Sequence, residues 1–168
     1  MACILIDGYN LIGIAHENLE KAREAVIADL RAYARLKGHS VTIVFDGWKS
    51  GGKDHSILKS RDITIVYTRL GENADMAIRN IVSSPGTSWI VVSSDREVAG
   101  YAWRKGCAAI RSEDFQIRVE DALRGTSAVN GIEERPGPEP GAARASRKGS
   151  PKKLSKKDRM MIQALRKL

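Results

Sequence analysis

Four aspartates fall where hydrolytic chemistry would need them. Asp7 closes the apolar run CILI at 3–6, Asp46 closes VTIVF at 41–45, and Asp95 follows WIVVS at 89–93 by two residues. Asp75 opens the helical pattern after the run ITIVY at 63–67, with Glu72 close by. If these runs are parallel strands, their carboxyl ends share one edge of a sheet, which is where such folds bind ligands. Four like charges in one crevice repel, and their ionised forms need a counterion. An all-oxygen donor set suits a hard divalent cation, Mg²⁺ or Mn²⁺. A pair of such ions can activate water and stabilise both the attacking and leaving oxygens at a phosphodiester. Each aspartate also has a plainer use. Asp75 and Asp95 suit helix N-caps, and Asp46 in FDG suits an Asp-Gly turn. Asp7 is harder to read that way, because DGYN opens a loop straight after a wholly apolar strand. Their joint placement argues for a site.

Rival sites lack their residues. There is no G-x-x-x-x-G-K-[ST], and Gly8 and Gly13 do not make G-x-G-x-x-G. Position 9 is Tyr9, where an aspartyl phosphatase would carry a second aspartate. His16, His39 and His55 are scattered and read as surface or loop residues. Cys3 and Cys107 lie in apolar runs and read as buried thiols.

The elements that would position the aspartates alternate. Five strands are expected at 3–6, 41–45, 63–67, 89–93 and 107–110, several of them apolar throughout, as strands covered on both faces are. A helix is expected at 18–37, with Leu19, Ala22, Val26, Leu30 and Tyr33 on one stripe and Gly38 as its stop. Shorter helices are expected at 74–82, 96–105 and 113–124, the last two ended by Gly106 and Gly125 and the last capped by Ser112. The stretch 47–62 shows no firm helix. The order implies an open α/β sheet, mostly parallel, with helices on both faces.

Charge divides the chain of 168 residues. Its net charge is +8, yet residues 1–125 carry 17 Lys+Arg against 16 Asp+Glu, and residues 126–168 carry 11 against 4. The domain is thus almost neutral, and the basic surplus lies in the tail. Residues 126–154 read as a flexible linker rich in Pro, Gly, Ser and Ala, and residues 155–168 as a short basic amphipathic helix capped by Ser155. A basic balance favours an anionic partner. No run of ~18 apolar residues suggests a membrane span. Two cysteines cannot build a disulfide framework, so a reducing, cytoplasmic setting is expected.

The runs ILIDGYNLIG at 4–13, VFDG at 44–47, VYTRLGENADMAI at 66–78 and VVSSDREV at 91–98, in that order, resemble the YacP-like NYN domain family of the PIN-like nuclease superfamily. The resemblance covers about residues 3–125. It implies a PIN-like three-layer α/β domain, with the basic tail outside it, and metal-dependent endoribonuclease activity. Asp7, Asp75 and Asp95 would hold Mg²⁺ or Mn²⁺, and Asp46 would complete or border the cluster. Asn10 would support Asp7 or contact the scissile phosphate. Some bacterial members act on message at the ribosome, so RNA, and with it the ribosome, are the implied partners. Asn73 departs from the small hydroxyl residue expected before Ala-Asp. Hydrolysis is expected without a covalent intermediate, water attacking phosphorus in line with the leaving oxygen.

Further residues are candidates for substrate contact. Lys49, Lys53 and His55 follow Asp46 in a loop and would either steady the RNA backbone or simply be solvated. Arg96 would pair with Asp95 or hold a phosphate, and Ser94 stands beside them. Tyr9 would stack on a base or pack in the core. The tail would supply salt-sensitive RNA affinity, or serve as a solubilising end with its helix docked on the core. Two other readings are an RNA-binding module without efficient catalysis and a DNA-directed, structure-specific nuclease.

Overall fold

The computed structural model describes residues 1–13, 18–47, 56–69, 71–129 and 155–168. Its elements run β1 (Cys3–Asp7), α1 (Gly8–Ile12), α2 (Leu19–Lys37), β2 (Ser40–Phe45), β3 (Ser56–Lys59), β4 (Ile63–Tyr67), α3 (Ala74–Ser83), β5 (Trp89–Val92), α4 (Arg96–Arg104), β6 (Ala108–Ile110), α5 (Ser112–Val129) and α6 (Lys156–Lys167). One sheet has the order β3-β4-β2-β1-β5-β6. The five expected strands are all present and parallel. The addition is β3, an antiparallel edge strand on β4. All four of its residues are exposed, so no buried face wrote a pattern into its sequence.

Alternate side chains divide the core between two faces, as the strand period of two requires. Ile4, Ile6, Val41, Ile43, Phe45, Ile63, Ile65, Ile90, Val92 and Ile110 join the cluster with α1, α2, α5 and α6. Leu5, Val44, Val66, Val91 and Ala109 join the cluster with α3 and α4. The result is a three-layer α/β/α sandwich. The expected stripe of α2 faces inward, and Gly38, at φ 64°, takes the left-handed conformation that ends it.

Two helices depart from expectation. DGYN does not open a loop: Asp7 accepts a bond from the Asn10 N–H and caps the short α1. Ser112 is the first residue of α5 rather than its cap, and α5 passes through Gly125 to Val129. Glycine weakens a helix interior by only ~1 kcal/mol, so it does not by itself end a helix. The helix expected at 155–168 forms with Ser155 and Asp158 in a reciprocal capping box. It does not hang free: Ala164 and Leu168 are buried in the main core, Met161 and Leu165 pack against it, and the Tyr33 hydroxyl donates to the Leu168 carbonyl at 3.1 Å. Among the described residues no helix is long and apolar enough to cross a membrane.

Candidate active site

The sheet's direction of growth reverses at β1: β2 lies on one side and β5 on the other. That switch point leaves a crevice beyond the carboxyl ends of the two strands. Asp7 ends β1 there, Asp46 follows β2, Asp95 follows β5, and Asp75 lies in the first turn of α3 beyond β4. Two glycines let the backbone close around the crevice. A Cβ on Gly8 would lie 2.4 Å from the Phe45 ring, and one on Gly47 would lie 1.8 Å from the Thr68 carbonyl oxygen. Gly47 N–H also donates to Thr68 Oγ1, whose hydroxyl donates to the Glu72 carbonyl.

The structural and chemical uses of the aspartates coexist. Asp7 Oδ1 accepts from Asn10 N–H at 3.1 Å. Asp46 Oδ1 accepts from Ala74 N–H and ties the end of β2 to the start of α3. Asp95 Oδ1 accepts from the N–H groups of Glu97 and Val98 and caps α4. Among the described residues, no hydrogen bond is drawn to the second oxygen of any of the three. Burial pushes the Asp7 carboxyl up to about 6, opposed by the Asn10 N–H and reinforced by the charges of Asp75, Asp46 and Asp95. Burial likewise raises Asp75, with Asp95 and Asp46 adding to it and Arg79 opposing. The four carboxylates therefore share one field.

Among the described residues, no three His, Cys, Asp or Glu side chains stand close enough to cage an ion. The donor set nevertheless fits a hard cation. Mg²⁺ is commonly held by one or two carboxylates, with waters and substrate phosphates completing its shell. A divalent charge would also favour the ionised form of Asp7, which burial and, to a smaller extent, the neighbouring carboxylates oppose.

Asn10, Ser94 and Ser112 are joined by bonds that local sequence does not announce. Asn10 Oδ1 accepts from the Ser94 N–H at 2.7 Å and from the Ser112 hydroxyl at 2.6 Å. Ser112 N–H donates to Ser94 Oγ, which donates to Glu113 Oε2 at 2.7 Å. Ser112 and Glu113 are not among the expected site residues; the available signal is a polar pair one residue beyond an apolar strand, at the same sheet edge as the aspartates. Ser93, also buried, holds the Asp95 N–H through its hydroxyl.

Other candidates are placed differently. Tyr9 packs rather than stacks on substrate: it is 5% exposed and meets Phe45 edge-on, at 5.2 Å between ring centres. Arg96 is exposed at the start of α4 and forms no ion pair with Asp95. Asn73 caps α3, accepting from Met76 N–H, so its departure leaves the Asp75 helix start intact. His39 is buried beside Tyr33 rather than on the surface. Lys49, Lys53 and His55 lie outside the described residues.

The arrangement has relatives. The model of the YacP-like NYN domain matches residues 4–167. The chain belongs to that family. The matched span takes in α6, so the family pattern reaches beyond residue 125 into the basic helix. The uncharacterized protein YacP of Bacillus subtilis is 28% identical over 91 residues, which are 50% of this chain and 53% of that protein. This alignment spans about half of that relative's length. A crystal structure of Rae1 (YacP) from Bacillus subtilis superposes with a TM-score of 0.64 at 23% identity, covering 77% of this chain and 80% of that one. A single-substitution variant of the same protein superposes with a TM-score of 0.62 at 22% identity, covering 79% and 86%. The three-layer α/β/α fold is thus shared with these structures, as the family resemblance implied. NYN domains are generally nucleases, and such nucleases typically use divalent metals.

Proposed function

We propose that this NYN domain is a metal-dependent endoribonuclease that hydrolyses RNA phosphodiester bonds. The single observation that carries the reading is the gathering of Asp7, Asp46, Asp75 and Asp95 around the switch point, with Asp7 buried there. In it, Asp7, Asp75 and Asp95 would contribute carboxylate oxygens to Mg²⁺ or Mn²⁺, with water and phosphate oxygens completing the shell, and Asp46 would border the cluster while anchoring α3. When bound, such an ion supplies charge neutralisation at the phosphate and a more acidic water. The chain's own work is to position the carboxylates: backbone N–H groups hold Asp7, Asp46 and Asp95, and the first turn of α3 carries Asp75. Asn10 offers a neutral donor to the phosphate, and Ser94 and the exposed Arg96 flank the strand. Message held on the ribosome is the RNA we infer from the family's bacterial members, in the reducing cytoplasm.

A second reading, an RNA-binding module without catalysis, draws on the absence of a ready-made cage among the described residues. Labelled single-stranded RNA, matching DNA and a structured flap, each with Mn²⁺ or EDTA, separate the readings. RNA cleavage that EDTA stops and that Asp7→Asn, Asp75→Asn and Asp95→Asn each remove is the expected result. Persistence of cleavage in all three variants sinks the metal-cluster reading. Binding without cleavage favours the module, and preference for the flap favours a DNA enzyme. Comparing ribosome-bound with free message tests the setting.

A further inference from the structure

Ser112 reaches Asn10 across 102 residues of sequence, and its bond constrains which way the Asn10 amide faces. The Ser94 backbone N–H can only donate, so the Asn10 atom 2.7 Å away must be the carbonyl oxygen. That oxygen can only accept, so the Ser112 hydroxyl must donate to it. Two donors on Oδ1 hold the amide against a flip. The Nδ2 amino group therefore faces the opposite way, and among the described residues it donates to nothing. Ser112 is itself 3% exposed, and its N–H is held through Ser94 Oγ to Glu113. The same contacts tie α1, which Asp7 caps, to the segment after β5, which carries Asp95.

We propose that Ser112 is a positioning residue. It locks the Asn10 amide so that its amino group, a neutral donor on the short helix that Asp7 caps, is presented to a non-bridging oxygen of the substrate phosphate. This rests on the endoribonuclease reading and adds to it the group that sets the donor's orientation. A neutral donor suits this place, because it adds no charge to the cation site and its benefit grows as charge develops on the phosphate oxygens.

The test begins with wild-type cleavage of single-stranded RNA in Mn²⁺; if there is none, the nuclease reading falls. In a cleaving enzyme, Ser112→Ala is expected to lower kcat ~10-fold or more with KM within about twofold. Ser112→Thr, which keeps the hydroxyl, is expected to restore most of the rate. In an Asn10→Ala background, Ser112→Ala is expected to cost less than twofold, because the group it orients is gone. A full loss multiplied onto Asn10→Ala would overturn the proposal, as would an unchanged kcat in Ser112→Ala. A second readout needs no turnover. The Asn10 side-chain amide signals in a ¹⁵N-labelled sample are expected to shift with a 2′-O-methyl RNA in wild type, and to respond weakly in Ser112→Ala. Equal responses would overturn the proposal even in a protein that does not cleave.

Discussion

Asp7 concentrates the conflict between stability and chemistry. It is 8% exposed, its neighbours are carboxylates, and its partner is one backbone N–H. Unfolded, the group titrates at 3.8; folded, at about 6. The fold therefore favours the protonated form. Asp7's contribution to stability is full below pH 3.8 and is lost as pH rises through about 6. Asp7→Asn keeps an oxygen for the Asn10 N–H and removes the charge. At neutral pH in EDTA it is expected to stabilise the protein by about 2 kcal/mol, flatten the pH dependence between 4 and 6, and abolish cleavage. Urea titrations across that range check the first two. A variant less stable than wild type would mean that Asp7 is an ordinary cap. The same linkage makes a metal prediction: Mn²⁺ is expected to raise the melting temperature of wild type and not that of Asp7→Asn.

Elements set how closely these side chains meet, and two junctions decide it. The turn after β2 presses Gly47 onto the Thr68 carbonyl, and the adjacent Asp46 then reaches Ala74 at the start of α3. Gly47→Ala is expected to cost about 3 kcal/mol or more and to disturb the placement of Asp75, because backbone, not a flexible side-chain end, would have to move. Calorimetry and a cleavage assay on the same sample would show both effects. At the other pole, α6 is seated by Ala164, Leu168 and the Tyr33 hydroxyl, and Lys157 lies 4.5 Å from the centre of the Trp103 ring. Ala164→Asp is expected to destabilise the whole domain by about 3 kcal/mol, and Ser155→Ala by about 1 kcal/mol. Denaturant midpoints within error of wild type for both would mean that α6 is merely appended.

Across the whole molecule, charge and chemistry occupy separate surfaces. The net charge of +8 first reads as a property of the protein, but it belongs mainly to the tail, while the crevice at the sheet edge gathers acid. In α6, five basic residues meet one acidic residue, and the docked face leaves Lys156, Arg159 and Arg166 exposed. The same helix thus buries its apolar side in the core and offers its basic side to an anionic partner. Neutralising those three to Gln is expected to reduce the slope of log affinity for RNA against log salt by ~2–3. An unchanged slope would show that RNA does not touch this face.

Sequence alone determined the five parallel strands, the long α2 with its Gly38 stop, and the N-caps of α4 and α6. Those signals are local: continuous apolar runs, a 3.6-residue stripe, and a polar side chain beside the first turn it caps. It also placed four aspartates at one edge, because in a parallel sheet every strand end points the same way. The exposed β3 and the seating of α6 depend on neighbours distant in the chain. Whether Tyr9 packs or stacks was open in sequence, and the Phe45 ring decided it. The bond from Ser112 to Asn10 had no sequence signal, since a single hydroxyl carries no period. Tertiary structure alone turned aspartates that share an edge into carboxylates that share a field, because burial and proximity, not residue type, set the energy of a charge.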